Sequence, residues 1–183
     1  MPQPVSPAPD PGALVDEALD HPLGTPPLSE LVGPGQTVAV LVDDYTRRTP
    51  LTLMLPLVLG RLESAGVSPA DIRIVVALGT HRPMTSAELV AKLGAEIVAA
   101  FDIVTVPCTN DSEMVYLGTS SNGIPAWVNR AATEADVRIG LGMITPHMDA
   151  GFSGGAKIVL PGVCSARTVD AFHAASAFLP VNQ

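Results

Sequence analysis

The side chains best suited to chemistry stand directly behind short apolar runs. Asp43, Asp44, Arg47 and Arg48 follow Thr37 to Val42, His81 and Arg82 follow Ile72 to Leu78, and His147 follows Val137 to Met143. Two imidazoles can take and return a proton near neutral pH, and a planar guanidinium suits a carboxylate. Each of these types also has an ordinary structural use, since an Asp behind a strand often caps a helix and an Arg there often makes a surface ion pair. Asp43 and Arg48 read in that ordinary way. Asp44 and Arg47 divide evenly on position alone. His81 and His147 follow different strands, each beside Gly or Pro, and that coincidence favours a functional use. His21, in a Pro-rich flank, reads as incidental.

The second informative stretch is Gly151-Phe152-Ser153-Gly154-Gly155-Ala156-Lys157. Its glycines let backbone amides approach a ligand closely, which is the generic arrangement of a phosphate cradle. A nucleotide-triphosphate loop needs Gly before its Lys and Ser or Thr after it, whereas Ala156 and Ile158 occupy those places. Lysine is scarce, with only Lys92 and Lys157 in the chain, so a Lys at the end of this loop is a less casual placement than a solvated turn. His173 lies in an Ala-rich helical stretch, where a His is usually a partly buried structural residue.

These residues need strands and helices to position them. The β-branched runs Thr37 to Val42, Ile72 to Leu78 and Val137 to Met143 read as strands buried on both faces. Ile103 to Val106 reads as another strand, and Met114 to Leu117 with Ala126 to Val128 as a short hairpin. Leu51 to Ala65 reads as a helix stopped by Gly66, with Pro56 and Gly60 as points of weakness. Thr85 and Glu88 form a capping box for a helix through Leu93. Arg130 to Ala135 and Ser165 to Ala177 read as further helices. Alternating strands and helices predict an α/β fold, a mostly parallel sheet with helices on both faces. Ligands then bind where loops converge at the C-terminal ends of the strands.

Composition narrows the function. A net charge of -8 disfavours nucleic acid, whose binding needs clustered Lys and Arg. Cys108 and Cys164 form no C-x-x-C pair, so neither a thiolate zinc site nor a disulfide framework is indicated and a cytoplasmic location fits. The N-terminus has neither a basic cluster nor an apolar run, so no signal peptide or membrane anchor is expected. Residues 1–12, rich in Pro, read as a disordered arm, and 13–183 as one domain.

Taken in order, Asp44-Tyr45-Thr46-Arg47, Gly79-Thr80-His81-Arg82-Pro83-Met84-Thr85, Pro146-His147, and Ala150 through Lys157 followed by Leu160-Pro161-Gly162 resemble the lactate racemase family. The resemblance runs from about residue 37 to 175 and joins several multi-residue motifs. It implies a Rossmann-like N-terminal domain of a two-domain enzyme, with the C-terminal domain absent from this chain. It also implies a nickel-pincer nucleotide, the Ni(II) complex of pyridinium-3,5-bisthiocarboxylate mononucleotide, in which carbon and two sulfurs hold the metal. On matching positions, Lys157 would attach the cofactor, with Ser153, Gly154 and Gly155 around it, and His173 would be the protein's nickel ligand. His81 and His147 would be the acid and base, Arg47 would orient the substrate, and Asp44 would arrange the site.

The implied reaction is racemisation of a small 2-hydroxy acid by reversible hydride transfer, and the implied partners are the enzymes that synthesise the cofactor. Thr145, Met148 and Asp149 depart from the family pattern around the second histidine, which leaves lactate, malate, hydroxyglutarate or another 2-hydroxy acid open. A rival reading is a non-catalytic truncated cofactor-binding or interaction module. A third, a metal-dependent hydrolase using His81, His147 and Asp44, leaves Lys157 and the glycine loop without a role.

Overall fold

Six consecutive residues with almost no polar surface start the sheet. In a computed structural model, which describes residues 6–147 and 150–177, β1 (Val38–Asp43) is buried along nearly its whole length. Such a run can be accommodated only where both faces are covered. It pairs in parallel with β2 (Ile72–Ala77) on one side and β6 (Val137–Leu141) on the other, while β3 (Asp102–Val104) extends the sheet beyond β2. The strand order is β3-β2-β1-β6. The fold is therefore α/β with a parallel central sheet, as the alternation of elements predicts.

Alternate residues of β1 enter two different cores. Val38, Val40 and Val42 pack with α3 (Leu51–Ser64), which contributes Leu51, Leu55, Val58, Leu59 and Leu62 at helical spacing. Ala39 and Leu41 pack on the opposite face with Ala132 of α6 (Arg130–Thr133), with Val163, and with Val169 of α7 (Ala166–Ala177). Each large side chain so buried removes about 1.5–3 kcal/mol of apolar exposure, so the two-sided core dominates the fold's stability. α3 runs through Pro56 and Gly60 because both lie on its exposed face, opposite the buried stripe.

The capping box forms as expected: Thr85 and Glu88 cap α4 (Ser86–Leu93), which is followed by α5 (Ala95–Ala100). The hairpin also forms, with β4 (Met114–Thr119) antiparallel to β5 (Pro125–Asn129) and outside the central sheet. The Pro-rich arm read over residues 1–12 ends sooner than expected. Asp10 accepts from the Ala13 amide and Pro11 opens α1 (Pro11–Asp20), because a proline at the first helical position brings its φ already set. α1 is held against α3 by Arg61, which bonds Asp16 and Asp20. The short α2 (Leu28–Leu31) leads into the sheet. Among the described residues no helix is long and apolar enough to cross a membrane.

Candidate active site

The chain crosses from β1 to β2 and β3, then returns to place β6 on the other side of β1. In open α/β sheets such a reversal opens a crevice at the C-terminal ends of the strands, because the connections on its two sides diverge. Val42 lies beside both Val76 and Leu141, so the three strands end at nearly the same level. The loops behind them line a cleft of about 520 Å³, open to solvent, that includes Asp43, Asp44, Arg47, His81, Ser153, Gly154 and Lys157.

Asp44 is the most constrained of these groups, at 2% exposed. One carboxylate oxygen accepts from the Thr46 amide at 3.0 Å and the Thr46 hydroxyl at 2.6 Å. The other lies 2.7 Å from His81 Nδ1. An ionised carboxylate only accepts, so the proton of a neutral His81 ring belongs on Nδ1 and Nε2 keeps its lone pair. The two-residue turn thus fixes the carboxylate, and the carboxylate fixes the imidazole. The His81 ring remains 43% exposed, accessible to a ligand. Tyr45 stands beside it, with ring centroids 6.4 Å apart, and the Arg82 guanidinium lies 4.5 Å over the Tyr45 ring. Arg82 is held by both oxygens of Glu88, at 2.8 and 2.6 Å, so its charge is spent on the rim. That bond, with the Thr85 amide, lowers the Glu88 carboxyl to about 2.

The opposite wall is the glycine-rich segment. Gly154 has φ +74° and its added Cβ would stand 3.1 Å from the Met143 carbonyl oxygen, so both conformation and space restrict the position to glycine. Lys157 sits in the 3₁₀ turn Gly155–Ile158. The turn is seated firmly: the Gly79 amide donates to the Gly162 carbonyl at 2.8 Å, and a Cβ on Gly162 would meet the Ile158 carbonyl oxygen at 2.1 Å. Ser153 is buried, and its hydroxyl donates to the Met143 carbonyl at 2.6 Å while accepting from the Thr145 amide at 2.9 Å and pairing with Thr145 Oγ1 at 2.7 Å. One proton and two lone pairs are all a hydroxyl has, so Ser153 braces the loop with its full capacity.

The cleft thus brings together Asp44, Arg47, His81, Ser153, Gly154 and Lys157 from the sequence-derived set. Gly155, His147 and His173 are not among its lining residues. His147 lies on β7 (Pro146–His147), which pairs with β8 (Gly151–Phe152), and its Nδ1 accepts from the Ala150 amide at 3.3 Å. His173 is exposed on α7, its ring centroid 5.9 Å from that of Phe172, so it is not the partly buried helix residue that its Ala-rich setting suggests. Met148 and Asp149 lie outside the described residues.

Sequence reasoning missed Asp43 and Lys92. Asp43 reads as a helix cap, yet its side chain lines the cleft and pairs with Lys92 at 3.1 Å. The only sequence signal was the scarcity of lysine, since the partners lie on elements far apart in the chain. Among the described residues no group of three or more His, Cys, Asp or Glu side chains is arranged to hold a metal ion. A hydrolase centre built from Asp44, His81 and His147 as joint ligands is therefore not formed.

The fold is that of an α/β domain with a ligand cleft at the switch point of its parallel sheet. The sequence profile of the family described as lactate racemase N-terminal domain matches residues 1–182. The chain is 44% identical over 160 residues to a lactate racemase of Lactiplantibacillus plantarum, and 36% identical over 160 residues to one of Thermoanaerobacterium thermosaccharolyticum. Each match covers 87% of this chain and 37% of the relative. The structure of the lactate racemase apoprotein from Thermoanaerobacterium thermosaccharolyticum superposes with a TM-score of 0.79 at 34% identity, covering 86% of this chain and 38% of that one. A crystal structure of a Thermotoga maritima protein superposes at 0.74 with 28% identity, covering 94% and 43%. The chain belongs to the lactate racemase N-terminal domain family, and it spans 37% of the length of these curated relatives.

Proposed function

We propose that this chain is the cofactor-carrying domain, over residues 13–183, of a 2-hydroxy-acid racemase. The observation that carries the reading is the Asp44–His81 pair at 2.7 Å, opening on the same cleft as Arg47 and Lys157. The donor set suits the nickel-pincer nucleotide that the family resemblance implies. Lys157, on the cleft wall, would hold the group covalently, and His173, which the family resemblance makes its nickel ligand, would have to reach it from α7 outside the cleft lining. Bound there, the cofactor supplies a carbon able to accept and return hydride.

The chain's own residues supply the rest. Arg47 takes the substrate carboxylate through a planar contact and so fixes the C2 centre. His81 Nε2, holding a lone pair because Asp44 occupies Nδ1, accepts the hydroxyl proton as C2 is oxidised to the keto level. Reduction on the opposite face inverts the centre when His147, starting protonated, gives its proton to the keto oxygen; turnover leaves His81 protonated and His147 neutral, and exchange with solvent resets the pair. Ser153 and Gly155 act by shaping the loop around Lys157. The partners are a small 2-hydroxy acid and the enzymes that synthesise the cofactor, with no nucleic acid or membrane, and the setting is the cytoplasm. The test is racemisation of L-lactate, malate and 2-hydroxyglutarate by the cofactor-loaded protein. His81→Gln is expected to lower kcat by about 10²–10⁴-fold while leaving the Lys157 adduct intact, and wild-type turnover in that variant contradicts the assignment.

A second reading is favoured by His147 and His173 lying outside the cleft lining. A cofactor-binding module without turnover of its own would form the Lys157 adduct and racemise none of these acids.

A further inference from the structure

One buried ion pair, joining the cleft residue Asp43 to Lys92, has no part in the proton chemistry. Lys92, in the last turn of α4, has 10% of its side chain exposed, and Asp43, at the end of β1, has 13%. Taking two charges out of water offsets most of their attraction, so such a pair contributes little net stability and is better explained by what its geometry fixes. A lysine in the last turn of a helix could serve the helix dipole from the surface. Lys92 instead turns inward, placing Nζ 3.1 Å from Asp43 Oδ1 and donating to the Arg47 carbonyl at 2.6 Å. The other Asp43 oxygen accepts from the Met143 amide at 3.3 Å and from the Thr49 hydroxyl. The end of β1, the loop into α3, α4 and the loop behind β6 therefore meet at a single pair.

We propose that Lys92 is a positioning residue: by holding the Arg47 carbonyl and Asp43 together it fixes the loop of residues 44–49, and with it the direction in which Arg47 meets the substrate carboxylate. The substrate's identity rests on the racemase reading, but the tether itself does not. Lys92→Met removes the tether and strands a buried carboxylate. Asp43→Asn/Lys92→Met removes the tether and the stranded charge together, which separates positioning from stability.

The experiment pairs amide hydrogen exchange with steady-state kinetics. In both variants the Thr46 and Arg47 amides are expected to exchange about tenfold faster than in the parent, with Val40 and Leu41 of β1 unchanged. The double variant is expected to regain most of the melting temperature lost in Lys92→Met. It should nevertheless keep a KM for the 2-hydroxy acid raised about tenfold, with kcat changed less. Parental exchange at Thr46 and Arg47 in the double variant, or a parental KM despite fast exchange, overturns the proposal. If the loaded parent racemises nothing, the racemase reading falls, and the exchange rates alone decide whether Lys92 tethers the loop.

Discussion

At the scale of single residues, the site depends on which atom of His81 carries its proton. Asp44 Oδ2 at 2.7 Å from Nδ1 holds the ring in the tautomer that leaves Nε2 able to accept. Asp44→Asn keeps an acceptor for Thr46 but presents an amide that can donate to Nδ1. The expected result is a shift of the neutral His81 tautomer toward protonated Nε2, read by ¹⁵N chemical shifts, with kcat down about 10²–10⁴-fold. An unchanged tautomer would remove Asp44 from this role. His81 and Lys157 were legible in sequence because they stand behind a buried strand and in a glycine-rich loop, whereas Asp44 and Arg47, evenly divided on position alone, were singled out by the family resemblance. Asp43 and Lys92 were not, because nothing local marks a strand-end carboxylate and a distant helix lysine as partners. Ser153 was legible as part of the loop, but only the structure shows its hydroxyl committed to Met143 and Thr145.

Among the elements, α4 carries both Glu88, which grips Arg82, and Lys92, which pairs with the cleft residue Asp43. Its N-terminus is closed by the Thr85–Glu88 capping box, and Glu88 also grips Arg82 beside His81. The Arg82 bond and the Thr85 amide lower the Glu88 carboxyl from an ordinary 4.5 to about 2. A carboxyl depressed on folding stabilises fully above its unfolded pKa, and that contribution fades as pH falls through the folded value. Order at the start of α4 should therefore weaken between about pH 4.5 and 2, and Glu88→Gln should abolish that pH dependence. Backbone NMR over Ser86 to Leu93 measures it, and an identical acid response in the variant would refute the linkage. Thr85 and Glu88 could be read from sequence because a capping box is local. The strands were legible for a related reason: β-branched runs buried on both faces carry their own signature. The N-terminal arm was less so, since Pro at position 11 suits both a disordered segment and the first turn of a helix.

For the whole molecule, the order β3-β2-β1-β6 matters more than any single strand, because the reversal beside β1 is what opens the cleft. Alternation of strands and helices made the parallel sheet legible, but order within the sheet is a long-range property that no local pattern records. The same limit applies to His147 and His173, which motif order groups with the site and which the folded chain places outside the cleft lining. The central claim is that this domain carries a covalent nickel cofactor on Lys157. Intact mass spectrometry with nickel analysis, after expression beside the cofactor-synthesis enzymes, compares the parent with Lys157→Ala. The account predicts an adduct and nickel in the parent and neither in the variant. An equal adduct in both, or none in either, would contradict it.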